Sequence, residues 1–158
     1  SNHAMNRRQA ADTARAVSLA RQAVTTGREV FGDQPGVMDP LNFLAMMQDF
    51  AGDSIEAEGS YQDALQVAGT FVPEGNTGRI IAARGTARGL SRRGRHEEAE
   101  EQLLALLALT PRGGAVGSRQ FDTRQATLRE LIAAYRRSGR IPEAEQYEVM
   151  KAEELGGD

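Results

Sequence analysis

The chain has 158 residues, no cysteine and only two histidines, which excludes disulfides, thiolate metal cages and thiol nucleophiles and nearly empties the usual pool of general bases. Hydrophobic residues make up 40% and charged residues 26%, an ordinary balance for one folded domain, and the net charge of −3 argues against attraction to nucleic acid by bulk charge. The longest purely apolar run, residues 103–109, is too short to cross a bilayer.

From the N-terminus, Ser1-Asn2-His3-Ala4 before Met5 reads as a cloning and protease remnant, so 1–4 is set apart from the domain at 5–158. A first helix is expected over 6–31. Arg7, Arg8, Asp12, Arg15, Arg21, Arg28 and Glu29 break any signal-peptide core there, so the default location is cytoplasmic. Apolar positions three, four and seven apart then predict helices over 38–50, 54–70, 77–93, 96–109, 121–138 and 142–155. The connectors carry breakers: Asp33-Gln-Pro-Gly36, Pro73-Glu-Gly-Asn76 and Pro111-Arg-Gly-Gly114. Asp53 is placed to cap the helix after Gly52, and Pro142 suits a first helical turn. The glycine-rich stretch near 111–120 is the longest loop and the segment expected to move most.

One pattern recurs three times. Gly52, Gly94 and Gly139 are each followed, after three intervening residues, by Glu-Ala-Glu, at 56–58, 98–100 and 143–145. The glycines are 42 and 45 residues apart. Leu41, Leu44, Ala45 and Gln48 stand before Gly52 at the offsets that Leu128, Leu131, Ile132 and Tyr135 hold before Gly139. Each glycine is therefore expected in a tight turn between two antiparallel helices, where φ is positive. The alanine five residues later (Ala57, Ala99, Ala144) should be buried, letting the second helix approach the first.

These residues resemble the tetratricopeptide repeat family: Leu41-x₂-Leu44-Ala45 with Ala57-x₃-Tyr61, Ala99-x₃-Leu103 with Pro111, and Leu128-x₂-Leu131 with Tyr135 and Ala144. HEAT and armadillo repeats share the period, but the turn glycine with Glu-Ala-Glu after it favours the tetratricopeptide pattern. Residues 28–35 resemble the helix end and loop of the long-loop repeats of kinesin light chains. The resemblance implies an all-α fold, a right-handed α-α superhelix of about seven helices. Its first helix, 6–31, is an orphan second helix in which Ala16, Leu19, Ala23 and Val24 align with the later second helices, and repeats follow at about 38–72, 77–111 and 121–155. The last helix should act as a cap, with Tyr147 and Met150 inward and Glu145 and Glu148 outward.

No catalytic constellation stands out. His96 reads as an exposed residue at a helix start, and the glycines at 113–117 lack the lysine and preceding strand of a phosphate cradle. No metal and no cofactor are implied. The recurring glutamates read as scaffold charges at helix N-termini. Charge distribution is more informative: residues 29–78 hold acids but no Lys or Arg, whereas 79–95 holds Arg79, Arg84, Arg88, Arg92, Arg93 and Arg95 and no acid until Glu97. Arg84, Arg88 and Arg92, four apart, form one helical stripe.

In the resembled family, the first helix of each pair lines the concave groove. By that alignment Arg84, Arg88, Arg92, Arg129 and Arg136 line it centrally and C-terminally, and Asn42 and Met46 line its acidic or apolar N-terminal end. The stripe reads as a ligand surface, as a solvated face, or as a set of charges paired with the acidic second helices nearby. The first reading implies a non-enzymatic module binding an acidic protein or peptide segment, with no direct nucleic-acid or membrane contact, since arginine bonds carboxylates with charge assistance. A second functional reading is a sensory or regulatory portion of a larger transcriptional or signalling protein, and a third, which the lack of Cys and scarcity of His argue against, is an enzyme.

Overall fold

The computed structural model describes residues 2–156, and Ser1 of the expected remnant lies outside them. Seven α-helices succeed one another among the described residues: α1 (Asn2–Phe31), α2 (Met38–Ala51), α3 (Ser54–Ala68), α4 (Thr77–Arg92), α5 (His96–Ala108), α6 (Arg119–Arg137) and α7 (Ile141–Gly156), with a short 3-10 turn at Pro35–Val37 before α2. The ends match the predicted ones within two residues, except that α1 begins at Asn2, inside the expected remnant. No strand occurs among the described residues.

The three repeated glycines perform one task. Gly52, Gly94 and Gly139 have φ of 88°, 80° and 76°. At Gly52 the glycine N–H donates to Asp49 O at 3.1 Å and the next N–H, of Asp53, donates to Gln48 O at 2.9 Å. Gly94 with Arg95 and Gly139 with Arg140 repeat the same pair of bonds, to Ser91 and Leu90 and to Arg136 and Tyr135. This is the Schellman ending, which satisfies the last helical carbonyls by turning one residue left-handed. An added Cβ would meet nothing within 4 Å at any of the three, so backbone conformation and not space demands glycine.

The chain re-enters a helix at once. Ala57, Ala99 and Ala144 donate their N–H to the carbonyl of the residue after the glycine, at 2.9, 3.1 and 3.2 Å. Each is no more than 1% exposed, as the small-residue reading requires.

Two helix starts are capped by side chains: Asn76 and Ser118 each accept from the backbone N–H three residues on, both at 3.2 Å. Asp53 does hold the N-cap position of α3, but its side chain makes no cap bond. Its backbone, already committed to the Schellman turn at φ −86° and ψ 63°, is not in the extended conformation from which a cap side chain reaches forward.

The chain divides into two compact units, one ending at Pro73 and one beginning at Glu74. In the first, α2 packs on both α1 and α3. Its core holds Ala20, Val24, Val37, Leu41, Ala45, Tyr61 and Ala64, and Ser60 donates to Gln48 at 2.6 Å within it. The buried stripe of α1 is Ala20, Val24 and Gly27. Of the positions aligned with the later second helices, Val24 is buried, whereas Ala23 is exposed and Leu19, about 100° round the helix from Ala20, is 54% exposed. In the second unit, α4 pairs with α5 and α6 with α7, and α6 also packs on α4 and α5. One cluster runs through all four helices, joining Ile80, Ala87, Leu103, Leu106, Leu131, Tyr135 and Ala144.

Candidate functional site

In the second unit the first helices of the pairs, α4 and α6, carry most of the arginines, and the second helices, α5 and α7, most of the glutamates. Arg84 and Arg88 are half-buried on α4, and Arg92 is exposed at its end. Arg88 Nε donates to Glu130 Oε2 of α6 at 2.7 Å, with Glu130 only 8% exposed. Glu130 also faces Arg137 at 3.7 Å, and Arg137 donates to Ser91 Oγ of α4 at 3.2 Å. Arg88 is thus paired, but with an acid of the neighbouring first helix and not of a second helix.

Arg129 and Arg136 are exposed on another side of α6, beside α7, where Arg136 pairs with Glu148. Glu148, expected to point outward, is half-buried because of that pair, whereas Glu145 is exposed. Tyr147 stacks inward on Tyr135, with centroids 5.6 Å apart and planes 18° from parallel, and Met150 is half-buried. Asn42 and Met46 lie on α2 in the first unit. Asn42 is 5% exposed and Met46 47%, the latter between Phe43 and Phe50 in an exposed apolar stripe.

The glutamates of the repeat do more than offset helix dipoles. Glu98 and Glu143 each take the arginine that follows the turn glycine, Arg95 and Arg140. Glu143 also accepts from its own backbone amide. That bond, followed by Arg140, holds its carboxyl below the usual carboxylate range. Glu100 reaches the next pair, accepting from Tyr135 Oη at 2.9 Å and pairing with Arg140, whose guanidinium lies 4.9 Å from the Tyr135 ring centroid.

Burial, and then the bond to Glu100, pushes the Tyr135 phenol above its ordinary value. A group whose folded-state pKa is raised binds its proton more tightly when folded, so its contribution is complete below pH 10 and is lost as pH rises further. Tyr135→Phe should cost about 1 kcal/mol at neutral pH, and that difference should shrink as pH rises above 10. Denaturant titrations at several pH values check this. A difference that stays constant with pH would remove Tyr135 as the titrating group.

Arg124 passed unnoticed in the sequence. It is 7% exposed and joins three segments. Its guanidinium meets Glu154 of α7 through bonds of 2.8–3.0 Å, and Nη1 donates to Thr110 O at 2.5 Å and to Leu107 O at 3.3 Å. Arg112 joins the same carboxylate at 3.1 Å. The glycine-rich loop, expected to move most, is therefore pinned where it leaves α5 and capped by Ser118 where it enters α6. His96 is the first residue of α5 and is half-buried, not exposed. Among the described residues no group of three His, Asp or Glu is placed to hold a metal ion, and no helix is long and apolar enough to cross a membrane.

No protein-family model matches the chain, and no curated protein matches it. Solved structures do. The crystal structure of the nearly identical TPR-like repeats of a Podosopora anserina protein designated a kinesin light chain has a TM-score of 0.70 and 22% sequence identity, covering 96% of this chain and 74% of that one. The structure of a single-substitution variant of those repeats matches equally, at 0.70 and 22%, over 96% and 73%. The fold is therefore the tetratricopeptide-like helical repeat that the turn glycines and buried alanines had indicated.

Proposed function

We propose that the chain is a protein-interaction module whose second unit takes an acidic segment of a partner on the arginine faces of α4 and α6. The observation that supports this most is the sorting of charge. Two neighbouring first helices carry Arg84, Arg88, Arg92, Arg129 and Arg136, and the acids among them are few: Glu130 engages Arg88 and Arg137, and Glu148 of α7 engages Arg136. Arg92 and Arg129 are exposed, where a guanidinium gains little from surface pairing and can exchange it for bidentate bonds to a carboxylate. In the family that this chain resembles, the first helix of each pair lines the groove, which supports a ligand face on α4 and α6. Met46, with Phe43 and Phe50, gives the first unit an apolar face of its own.

The test is a binding titration of a random-sequence peptide pool rich in Asp and Glu against its Lys-rich counterpart, at low and high salt. The acidic pool should bind the wild type at low salt. Affinity should fall at least tenfold in Arg92→Glu/Arg129→Glu and weaken as salt rises, since screening shortens the reach of exposed charges to about 8–10 Å at physiological ionic strength. Equal retention of both pools, or indifference to the double reversal, would refute the proposal.

A further inference from the structure

The internal repeat makes one part of the second unit legible from another. Residues of α4 and α5 correspond to those of α6 and α7 that stand 45 positions later, the distance from Gly94 to Gly139. On α4 and α5, the groove between the helices is occupied by α6. Ser91 Oγ receives Arg137, Arg88 receives Glu130, and the Leu107 and Thr110 carbonyls receive Arg124. Leu103 and Leu106 are 0% and 7% exposed there.

The 45-residue shift carries Ser91, Arg88, Leu103, Leu106, Leu107 and Thr110 onto Arg136, Ala133, Glu148, Lys151, Ala152 and Leu155. Those six residues, with Arg129 and Ile132, line an open cleft of about 450 Å³ between α6 and α7. The cleft is thus the same groove one repeat further on. Its floor is apolar, through Ile132, Ala133, Ala152 and Leu155, and Leu155 is 51% exposed. Its rim is cationic, with Arg129, Arg136 and Lys151 against the single carboxylate of Glu148.

We infer that this cleft is a docking slot for an amphipathic, acidic helix of a partner protein, lying in it as α6 lies on α4 and α5. The register specifies the occupant's chemistry. Where α6 presents Glu130 to Arg88, the incoming helix meets Ala133 flanked by Arg129 and Arg136. Where α6 presents Arg137 to Ser91, it meets Arg136. A carboxylate suits both places, so the occupant carries acids seven residues apart, two turns along one face, beside an apolar stripe. A second copy of this chain is a poor occupant by charge: its long first helix carries Arg7, Arg8, Arg15 and Arg21. The inference goes beyond the arginine face, because half of the slot is α7.

The experiment uses the full chain and a fluorescent peptide of the α6 sequence, residues 119–137, carrying Arg129→Gln, Arg136→Gln and Arg137→Glu. The control peptide carries Arg129→Gln, Arg136→Gln and Glu130→Lys and keeps Arg137. Anisotropy titrations should show the acidic peptide binding at least tenfold more tightly than the control. Lys151→Glu/Leu155→Asp should abolish that preference while the variant melts like the wild type, and Arg21→Glu, on α1 and outside the residues that line the cleft, should leave it intact. Equal binding of both peptides, binding that survives Lys151→Glu/Leu155→Asp, or a free chain that sediments as a dimer dissociated by Leu155→Asp would each overturn the inference. Failure of Arg92→Glu/Arg129→Glu to affect the acidic peptide pool bears on the arginine-face proposal instead.

Discussion

Arg124→Ala is expected to destabilise the second unit by about 3 kcal/mol, because it strips a nearly buried carboxylate and two backbone carbonyls of their donor at once. Arg124 and Glu154 have side chains only 9% and 12% exposed, so water does not replace the lost guanidinium. Arg112 stays near Glu154 but is 61% exposed and holds the carboxylate from one side only. The lost bonds reach the end of α5, so the damage extends to the 109–118 loop. Denaturant unfolding followed by far-UV circular dichroism gives the magnitude. Arg124→Met/Glu154→Leu should recover most of the loss, since exchanging a buried ion pair for apolar residues of similar volume is often neutral. If Arg124→Ala unfolds at the wild-type midpoint, Arg124 is not the tie between α5, α6 and α7.

Arg88→Glu should cost about 2 kcal/mol, the value of a charge-assisted bond at a partly buried site, with like-charge repulsion from Glu130 adding to it. Taken only as one charge of a solvated helical stripe, Arg88 would be an exposed residue whose reversal changes stability little. The difference is Glu130, 42 residues away, whose carboxylate Arg88 holds at 2.7 Å. Glu130→Gln in the Arg88→Glu background should restore about half of the loss by removing the repulsion. Arg88→Met, which keeps the apolar stem, should be milder than Arg88→Glu. Melting curves of the four proteins decide the order. An unperturbed Arg88→Glu would return Arg88 to the pool of arginines available to a ligand.

Much of the candidate site was legible in outline. Arg84, Arg88 and Arg92 at four-residue spacing do lie along one helix, and Arg129 and Arg136 sit on the neighbouring first helix. Their partners were not legible. Glu130, Glu148 and Glu154 are ordinary acids in ordinary helical sequence, and nothing local distinguishes a glutamate that takes an arginine from one that faces water. Glu145 and Glu148, three apart on α7, were read alike, yet one is exposed and the other holds Arg136.

What the sequence by itself determined is whatever one or two helical turns encode. The three glycines at φ near +80°, the alanines buried beside them and the seven helices all follow from residues within a few positions of each other, where backbone sterics and apolar period act directly. Tertiary structure alone decided which side of each helix meets which neighbour, and therefore which arginines are held by buried acids and which remain exposed. Arg124, Arg88 and Arg140 find carboxylates 30, 42 and 40 residues away. Pairs at such separations depend on helix rotations of a few tens of degrees that no local pattern contains, since a shift of one residue turns a side chain by about 100° and exchanges a partner for solvent.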